Sequence, residues 1–118
     1  MISIIEDDLS VREAIETLLK SVRMNYQSFN SAEQFLSGFK PCLVDIIILD
    51  LNLPGMNGCD FLKKIKHDGL KIQVIVTTAF DDLVSRELCR QYGVKAFLRK
   101  PVDGEALIDL INFNLISV

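Results

Sequence analysis

The sequence predicts an α/β fold: a single doubly wound sheet of five parallel strands with helices on both faces. Three observations predict it. Strand-like and helix-like segments alternate five times along the 118 residues, with short connections. The run Ile46, Ile47, Ile48, Leu49 is continuously apolar, as a strand buried on both faces must be. Polar groups then close four of the strands: Glu6 and Asp7, Asp50, Thr78, and Lys100.

The first strand is Ile2, Ser3, Ile4, Ile5, which runs into Glu6, Asp7 and Asp8. Ser10 and Glu13 have capping-box spacing, and Val11, Ala14, Ile15, Leu18, Leu19 and Val22 recur at helical spacing. A weak second strand covers Tyr26 to Phe29. Ser31 and Gln34 offer another capping box ahead of Phe35, Leu36 and Phe39, and Pro41 stops that helix. The third strand, Ile46 to Asp50, is followed by the turn-rich stretch Leu51, Asn52, Leu53, Pro54, Gly55, Met56, Asn57, Gly58. Phe61, Leu62 and Ile65 mark one face of a lysine-rich third helix that Gly69 ends. Val74 to Thr78 is the fourth strand. Asp81 or Asp82 caps a fourth helix carrying Leu83, Val84, Leu88 and Cys89, and Gly93 stops it. Ala96 to Arg99 is the fifth strand, and Asp103 caps a last helix with Leu107, Leu110 and Ile111 inward.

Length and a hydrophobic content of 49% suit one domain over residues 1–118. Net charge is -3, and the 13 Lys and Arg residues form no basic run, which argues against direct nucleic-acid binding. No apolar stretch reaches the roughly 20 residues that span a bilayer, so a soluble, cytoplasmic chain is expected. Cys42, Cys59 and Cys89 lack disulfide or zinc spacing and read as small buried fillers or bystanders. His67, the only histidine, lies in a polar stretch and reads as solvated.

In such a sheet the carboxyl ends of strands one, three, four and five converge on one crevice, delivering Glu6, Asp7, Asp50, Thr78 and Lys100. Alone, Asp50 would read as a turn opener bonding its own backbone. With other acids beside it, charge must be offset: two like charges ~4 Å apart repel by ~4 kcal/mol at an effective dielectric near 20. Lys100 supplies one positive charge. A hard divalent cation suits the oxygens better, and Mg²⁺ is expected, with Mn²⁺ as a substitute. Such an ion beside a carboxylate suits phosphoryl transfer, with Asp50 as nucleophile forming an acyl phosphate. Thr78 would donate its hydroxyl to a phosphoryl oxygen and Lys100 would bind another.

Ile5-Glu6-Asp7-Asp8, Leu49-Asp50 through Gly58, Thr77-Thr78-Ala79 and Phe97-Leu98-Arg99-Lys100-Pro101 occur in the order seen in one family. The whole chain resembles a bacterial response-regulator receiver domain of two-component signalling, with a chemotaxis-regulator-like fold. The resemblance implies a flavodoxin-like strand order 2-1-3-4-5 and a phosphoryl group accepted on Asp50 from a histidine kinase or phosphotransfer protein. It implies Mg²⁺ held by Glu6, Asp7, Asp50 and the backbone carbonyl of Asn52. Thr78 and Lys100 match the phosphate-sensing hydroxyl and lysine, Phe97 matches the aromatic switch, and Lys100-Pro101 matches a cis bond. Glu6 stands where many relatives have Asp, a longer side chain suited to a water-mediated contact. Asp8 is either solvated, a helix cap or a third acid of the site. Asn52 and Phe80 match positions that tune phosphate lifetime. No further cofactor is implied.

The chain is thus expected to be a phosphoacceptor that assists its own phosphorylation and dephosphorylation, rather than an enzyme acting on other substrates. An aspartyl-phosphate phosphatase would want a second acid two residues after the nucleophile, where Asn52 stands. A phosphorylation-deficient receiver used only for binding would not need the full acid, hydroxyl and lysine set. Ile108 and Phe113 fall off the inner face of the last helix, and they either pack under the chain end or extend a partner surface. The family commonly dimerises or contacts output domains through helix four, strand five and helix five. The texture of Ser31-Ala32-Glu33-Gln34-Phe35-Leu36 resembles receivers joined to helix-turn-helix output domains, so a C-terminal DNA-binding domain outside this chain, and transcription regulation, are expected.

Overall fold

The structure is a computed structural model that describes residues 1–40, 43–79, 83–94 and 96–116. Elements alternate as β1 (Ile2–Ile5), α1 (Leu9–Ser21), β2 (Tyr26–Phe29), α2 (Ala32–Gly38), β3 (Ile46–Asp50), α3 (Gly58–His67), β4 (Gln73–Thr78), α4 (Leu83–Gln91), β5 (Ala96–Arg99) and α5 (Gly104–Ile116). The strands form one parallel sheet ordered β2-β1-β3-β4-β5, the order the resemblance implies. Every residue of β1 and β3 is buried, because helices cover the sheet on both faces.

Successive strand side chains face opposite ways, and this alternation divides the core. Ile2, Ile4, Ile46, Ile48 and Ile75 pack with Ile15 and Leu19 of α1 and with Leu107 and Ile111 of α5. Ile5, Ile47, Leu49 and Val76 pack on the opposite face with Phe35 of α2, Phe61, Leu62 and Ile65 of α3, and Cys89 of α4. Phe35 centres the second cluster, edge-on to Phe29 at 5.2 Å and to Phe61 at 5.4 Å between ring centroids. Burying each such side chain stabilises the fold by about 1.5–3 kcal/mol. The inner face of α5 is narrower than the sequence predicts: Leu107 and Ile111 are fully buried, whereas Leu110 is half-buried at the edge of the cluster.

The start of α1 corrects the predicted capping box. Ser10 is already helical, and Asp8 is the N-cap, its Oδ1 accepting from the Ser10 and Val11 amides at 2.9 and 3.1 Å. A short acid one residue before the helix reaches the free amides of the first turn better than a serine inside it. Those bonds, chiefly the Val11 amide, hold the Asp8 carboxyl below its ordinary range. The second predicted box forms in half: Ser31 Oγ accepts from the Gln34 amide at 3.0 Å, while the Gln34 side chain reaches one residue further back and accepts from the Asn30 amide at 2.7 Å instead of from Ser31. Asn57 caps α3 and Asp103 caps α5. Gly69 and Gly93 take the positive φ that follows α3 and α4. β4 begins one residue earlier than predicted, at Gln73. Pro41, Cys42, Phe80, Asp81 and Asp82, each given a role in the sequence reading, lie outside the described residues. Among the described residues, no helix is long and apolar enough to cross a membrane.

Candidate functional site

Parallel register sets the site. Ile5 pairs with Leu49, Asp50 with Thr77, and Thr78 with Arg99, so Glu6, Asp50, Thr78 and Lys100 arrive at one edge of the sheet. Backbone bonds anchor those strand ends: Glu6 N–H donates to Phe29 O at 3.0 Å, Leu51 N–H to Thr77 O at 3.0 Å, and Lys100 N–H to Thr78 O at 2.8 Å. The Lys100-Pro101 peptide is cis, as the resemblance implies.

Glu6, Asp50 and Lys100 lie at even positions on the α1 and α5 face, and they meet. Lys100 Nζ is 2.8 Å from Glu6 Oε1 and 3.3 Å from Asp50 Oδ2. Glu6 and Asp50 are almost fully buried, while Asp7 stands exposed at the rim. One carboxylate oxygen from each of Glu6, Asp7 and Asp50 lies within 4.8 Å of the other two. Burial pushes the Glu6 carboxyl up to about 7; Asp50 beside it adds to the rise and Lys100 opposes it. Burial also weakens the Lys100 ammonium, but Glu6 and Asp50 more than offset this and hold its pKa above the ordinary value. Three acids facing one ammonium leave the pocket short of positive charge. Oxygen donors this close suit a hard divalent cation, so the residues present fit Mg²⁺.

Thr78 has the opposite parity along β4 and approaches from the other side. Its buried hydroxyl accepts from the Asn52 amide at 3.4 Å. Asp50 is also a turn opener after all, its Oδ1 accepting from Asn52 N–H at 3.1 Å. This bond turns the chain directly after β3 and holds the next loop against the acids. Gly55 takes φ of 71°, which favours glycine, and the adjacent Met56 N–H donates to Glu33 Oε2 of α2 at 3.3 Å. Gly58 starts α3 so close to β3 that a Cβ would lie 2.7 Å from Leu51 Cα. Phe97, half-buried on β5, lies apart from the acids with Arg86 of α4 over its ring, 5.2 Å from the centroid. His67 is exposed at the end of α3, remote from the strand-end acids in the fold.

Two contacts were absent from the sequence reading. Arg12 Nη1 donates to the Glu6 carbonyl at 2.9 Å, and Asp8 N–H donates to Glu6 Oε2 at 3.3 Å. The available signal was the position of Arg12 on α1, four residues after the capping acid, where a long side chain reaches back over the first turn.

The family model described as "Response regulator receiver domain" matches residues 2–112. The transcriptional regulatory protein FixJ of Azorhizobium caulinodans is 32% identical over 114 residues, covering 97% of this chain and 54% of that protein. Nodulation protein W of Bradyrhizobium diazoefficiens is 28% identical over 111 residues, covering 94% of this chain and 49% of that protein. The chain therefore spans about half the length of these curated relatives. Among solved structures, response regulator StyR superposes with a TM-score of 0.91 at 29% identity, covering 98% of this chain and 59% of that one. A CheY-like receiver domain from Methanospirillum hungatei gives 0.90 at 22% identity, covering 98% and 93%, and shares the fold. With its sheet order, its strand-end acids and a family match over nearly its whole length, the chain belongs to the response regulator receiver domain family of two-component signalling.

Proposed function

We propose that this receiver domain accepts a phosphoryl group on Asp50 from the phosphohistidine of a histidine kinase or phosphotransfer protein, and that the modified state regulates transcription. The observation that carries it is the placement of the buried Asp50 carboxylate, 3.3 Å from Lys100 Nζ and within 4.8 Å of the oxygens of Glu6 and Asp7. In the transfer, an Asp50 oxygen attacks phosphorus, the P–N bond breaks, and the donor imidazole leaves with the electron pair. Glu6, Asp7, Asp50 and the Asn52 carbonyl would hold Mg²⁺ (or Mn²⁺), which when bound neutralises the phosphoryl oxygens. Lys100 adds a second positive charge from the side it shares with Glu6. In dephosphorylation water attacks the same phosphorus, the P–O bond to Asp50 breaks and inorganic phosphate leaves, so the domain assists its own dephosphorylation without being an enzyme for other substrates.

Thr78 and Phe97 are proposed as the switch. The Thr78 hydroxyl leaves the Asn52 amide for a phosphoryl oxygen, and Phe97 turns inward as it does so. Phosphorylation then favours the conformation that binds the phosphoryl group better, by no more than that difference in affinity. We propose α4, β5 and α5 as the face that reads the change, through a second copy of the domain or a DNA-binding output domain. Support comes from Leu83, Val84 and Phe113, exposed by 85%, 71% and 68%. A cytoplasmic setting belongs to the same proposal.

The test is intact mass after incubation with Mg²⁺ and acetyl phosphate. One phosphoryl adduct on the wild type and none on Asp50→Asn is expected. An unmodified wild type would overturn the proposal, and rapid turnover of unrelated phosphate esters would favour a phosphatase. Sedimentation with beryllofluoride tests the face: dimer formation supports it, and an unchanged monomer that binds no output domain refutes it.

A further inference from the structure

We propose that Arg12 is a positioning residue for the metal site, fixing the peptide plane from which Asp7 projects. The inference rests on the reading of Glu6, Asp7 and Asp50 as a Mg²⁺ site, and it concerns a residue that acts through a backbone carbonyl rather than through the carboxylates.

Glu6 is held on every side. Its N–H donates to Phe29 O at 3.0 Å, its carboxylate meets Lys100 at 2.8 Å, and its Oε2 accepts from Asp8 N–H at 3.3 Å. Asp7 is different. It is exposed, between a buried strand end and a helix cap, and its carboxylate is the rim member of the acidic cluster. Its direction depends on the Glu6–Asp7 peptide plane, because rotation of that plane swings everything attached to the Asp7 Cα. The oxygen of that plane is Glu6 O, and Arg12 Nη1 binds it at 2.9 Å.

Arg12 can serve as such an anchor because its own base is rigid. It is half-buried on α1, and its backbone N–H donates to Asp8 O at 2.9 Å within the capped first turn. A guanidinium donates without accepting, and its bond to a carbonyl is charge-assisted. The helix that comes after the acids thus reaches back to hold the loop that carries them.

Position and charge act in opposite directions, which makes the sign of one measurement decisive. A cationic side chain near a cation site repels Mg²⁺, so an Arg12 that acted by charge alone would weaken binding, and its removal would tighten it. An Arg12 that orients Asp7 strengthens binding, and its removal costs roughly tenfold or more in affinity, as for other groups that orient metal ligands.

The experiment is calorimetric titration of the whole chain with MgCl₂ for wild type, Arg12→Met, Arg12→Lys and Glu6→Gln, with thermal unfolding in EDTA as the folding check. Met keeps the apolar stem without the donors or charge. The expected result is roughly tenfold weaker binding in Arg12→Met and partial recovery in Arg12→Lys, which keeps a donor. Unchanged or tighter binding in Arg12→Met, with Glu6→Gln weakened, overturns the positioning role while leaving the metal site standing. A wild type that binds no Mg²⁺, or a Glu6→Gln that binds equally well, overturns the metal reading itself. If Arg12→Met fails to fold, Arg12→Gln, which also removes the guanidinium, takes its place and is read by the same rule: weaker binding than wild type supports positioning, and unchanged or tighter binding refutes it.

Discussion

The Glu6 carboxyl couples stability to pH in a direction opposite to that of most carboxylates in folded proteins. Its pKa rises from an ordinary 4.5 to about 7 because it is buried beside Asp50 and only partly relieved by Lys100. An acid with a raised folded pKa binds its proton more tightly folded than unfolded. Its contribution is therefore fully present below the unfolded pKa and is lost as pH rises through the folded one. At about 1.36 kcal/mol per pKa unit, a shift of this size makes the expected loss on the order of 2–3 kcal/mol. The other resolved shifts fall outside this window. Asp8 is held low and acts below its ordinary 3.8, whereas Lys100 is held high and acts above its ordinary 10.5. The assay is urea unfolding followed by circular dichroism, in EDTA, between about pH 4.5 and about pH 8. Wild type should lose stability across this range, and Glu6→Gln should stay level. Saturating Mg²⁺ should cancel the loss, because cation and proton compete for the same oxygens. Wild-type stability that stays flat or rises in EDTA, or a Glu6→Gln that keeps the decline, would falsify the assignment of the pH dependence to this carboxyl.

Further outcomes are expected at single sites. Asp50→Asn should raise apparent stability in EDTA by ~1 kcal/mol, since repulsion and burial cost outweigh the Lys100 contact, and should lose stabilisation by Mg²⁺; denaturation with and without the metal checks both. Gly58→Ala should cost about 1–3 kcal/mol, because its Cβ would meet the Leu51 backbone, which cannot yield as a flexible side chain would. The urea midpoint reads this directly. Leu107→Ala empties a fully buried position between α5 and the sheet and should cost about 2–5 kcal/mol in the same assay, with the phosphoryl adduct still forming in the folded fraction. Ser31→Ala removes the cap of the short α2 and should cost ~1 kcal/mol.

Legibility was uneven for physical reasons. Strand β3 was readable because burial on both faces demands an unbroken apolar run, and its end was readable because Pro54 and Gly55 punctuate the loop beyond it. Helix α1 was readable in its body, where Ile15 and Leu19 repeat at helical spacing, while at its start the sequence offered both the Ser10 box and Asp8 as a cap, and Asp8 is the cap. A box of Ser10 and Glu13 satisfies the same spacing rule as the true cap, and only geometry chooses between Asp8 and Ser10. On α4 the apolar residues do not mark the core: Leu83 and Val84 are exposed and Cys89 is the buried one. Apolar character alone cannot tell a face that packs inward from one left for a partner.

By itself, the sequence determined the order of elements and the identity of the groups at strand ends, because periodicity, caps and turns act over a few residues. It also carried the family resemblance, since motif order survives in the linear chain. Only the tertiary structure decided which groups touch. Lys100 meets Glu6 and Asp50 because the register and parity of three separate strands put them on one face, while Thr78, of opposite parity, meets Asn52. The hold of Arg12 on the Glu6 carbonyl was likewise decided there, by how the helix folds back over the loop before it. Such pairings depend on contacts between distant segments, and no local rule encodes them.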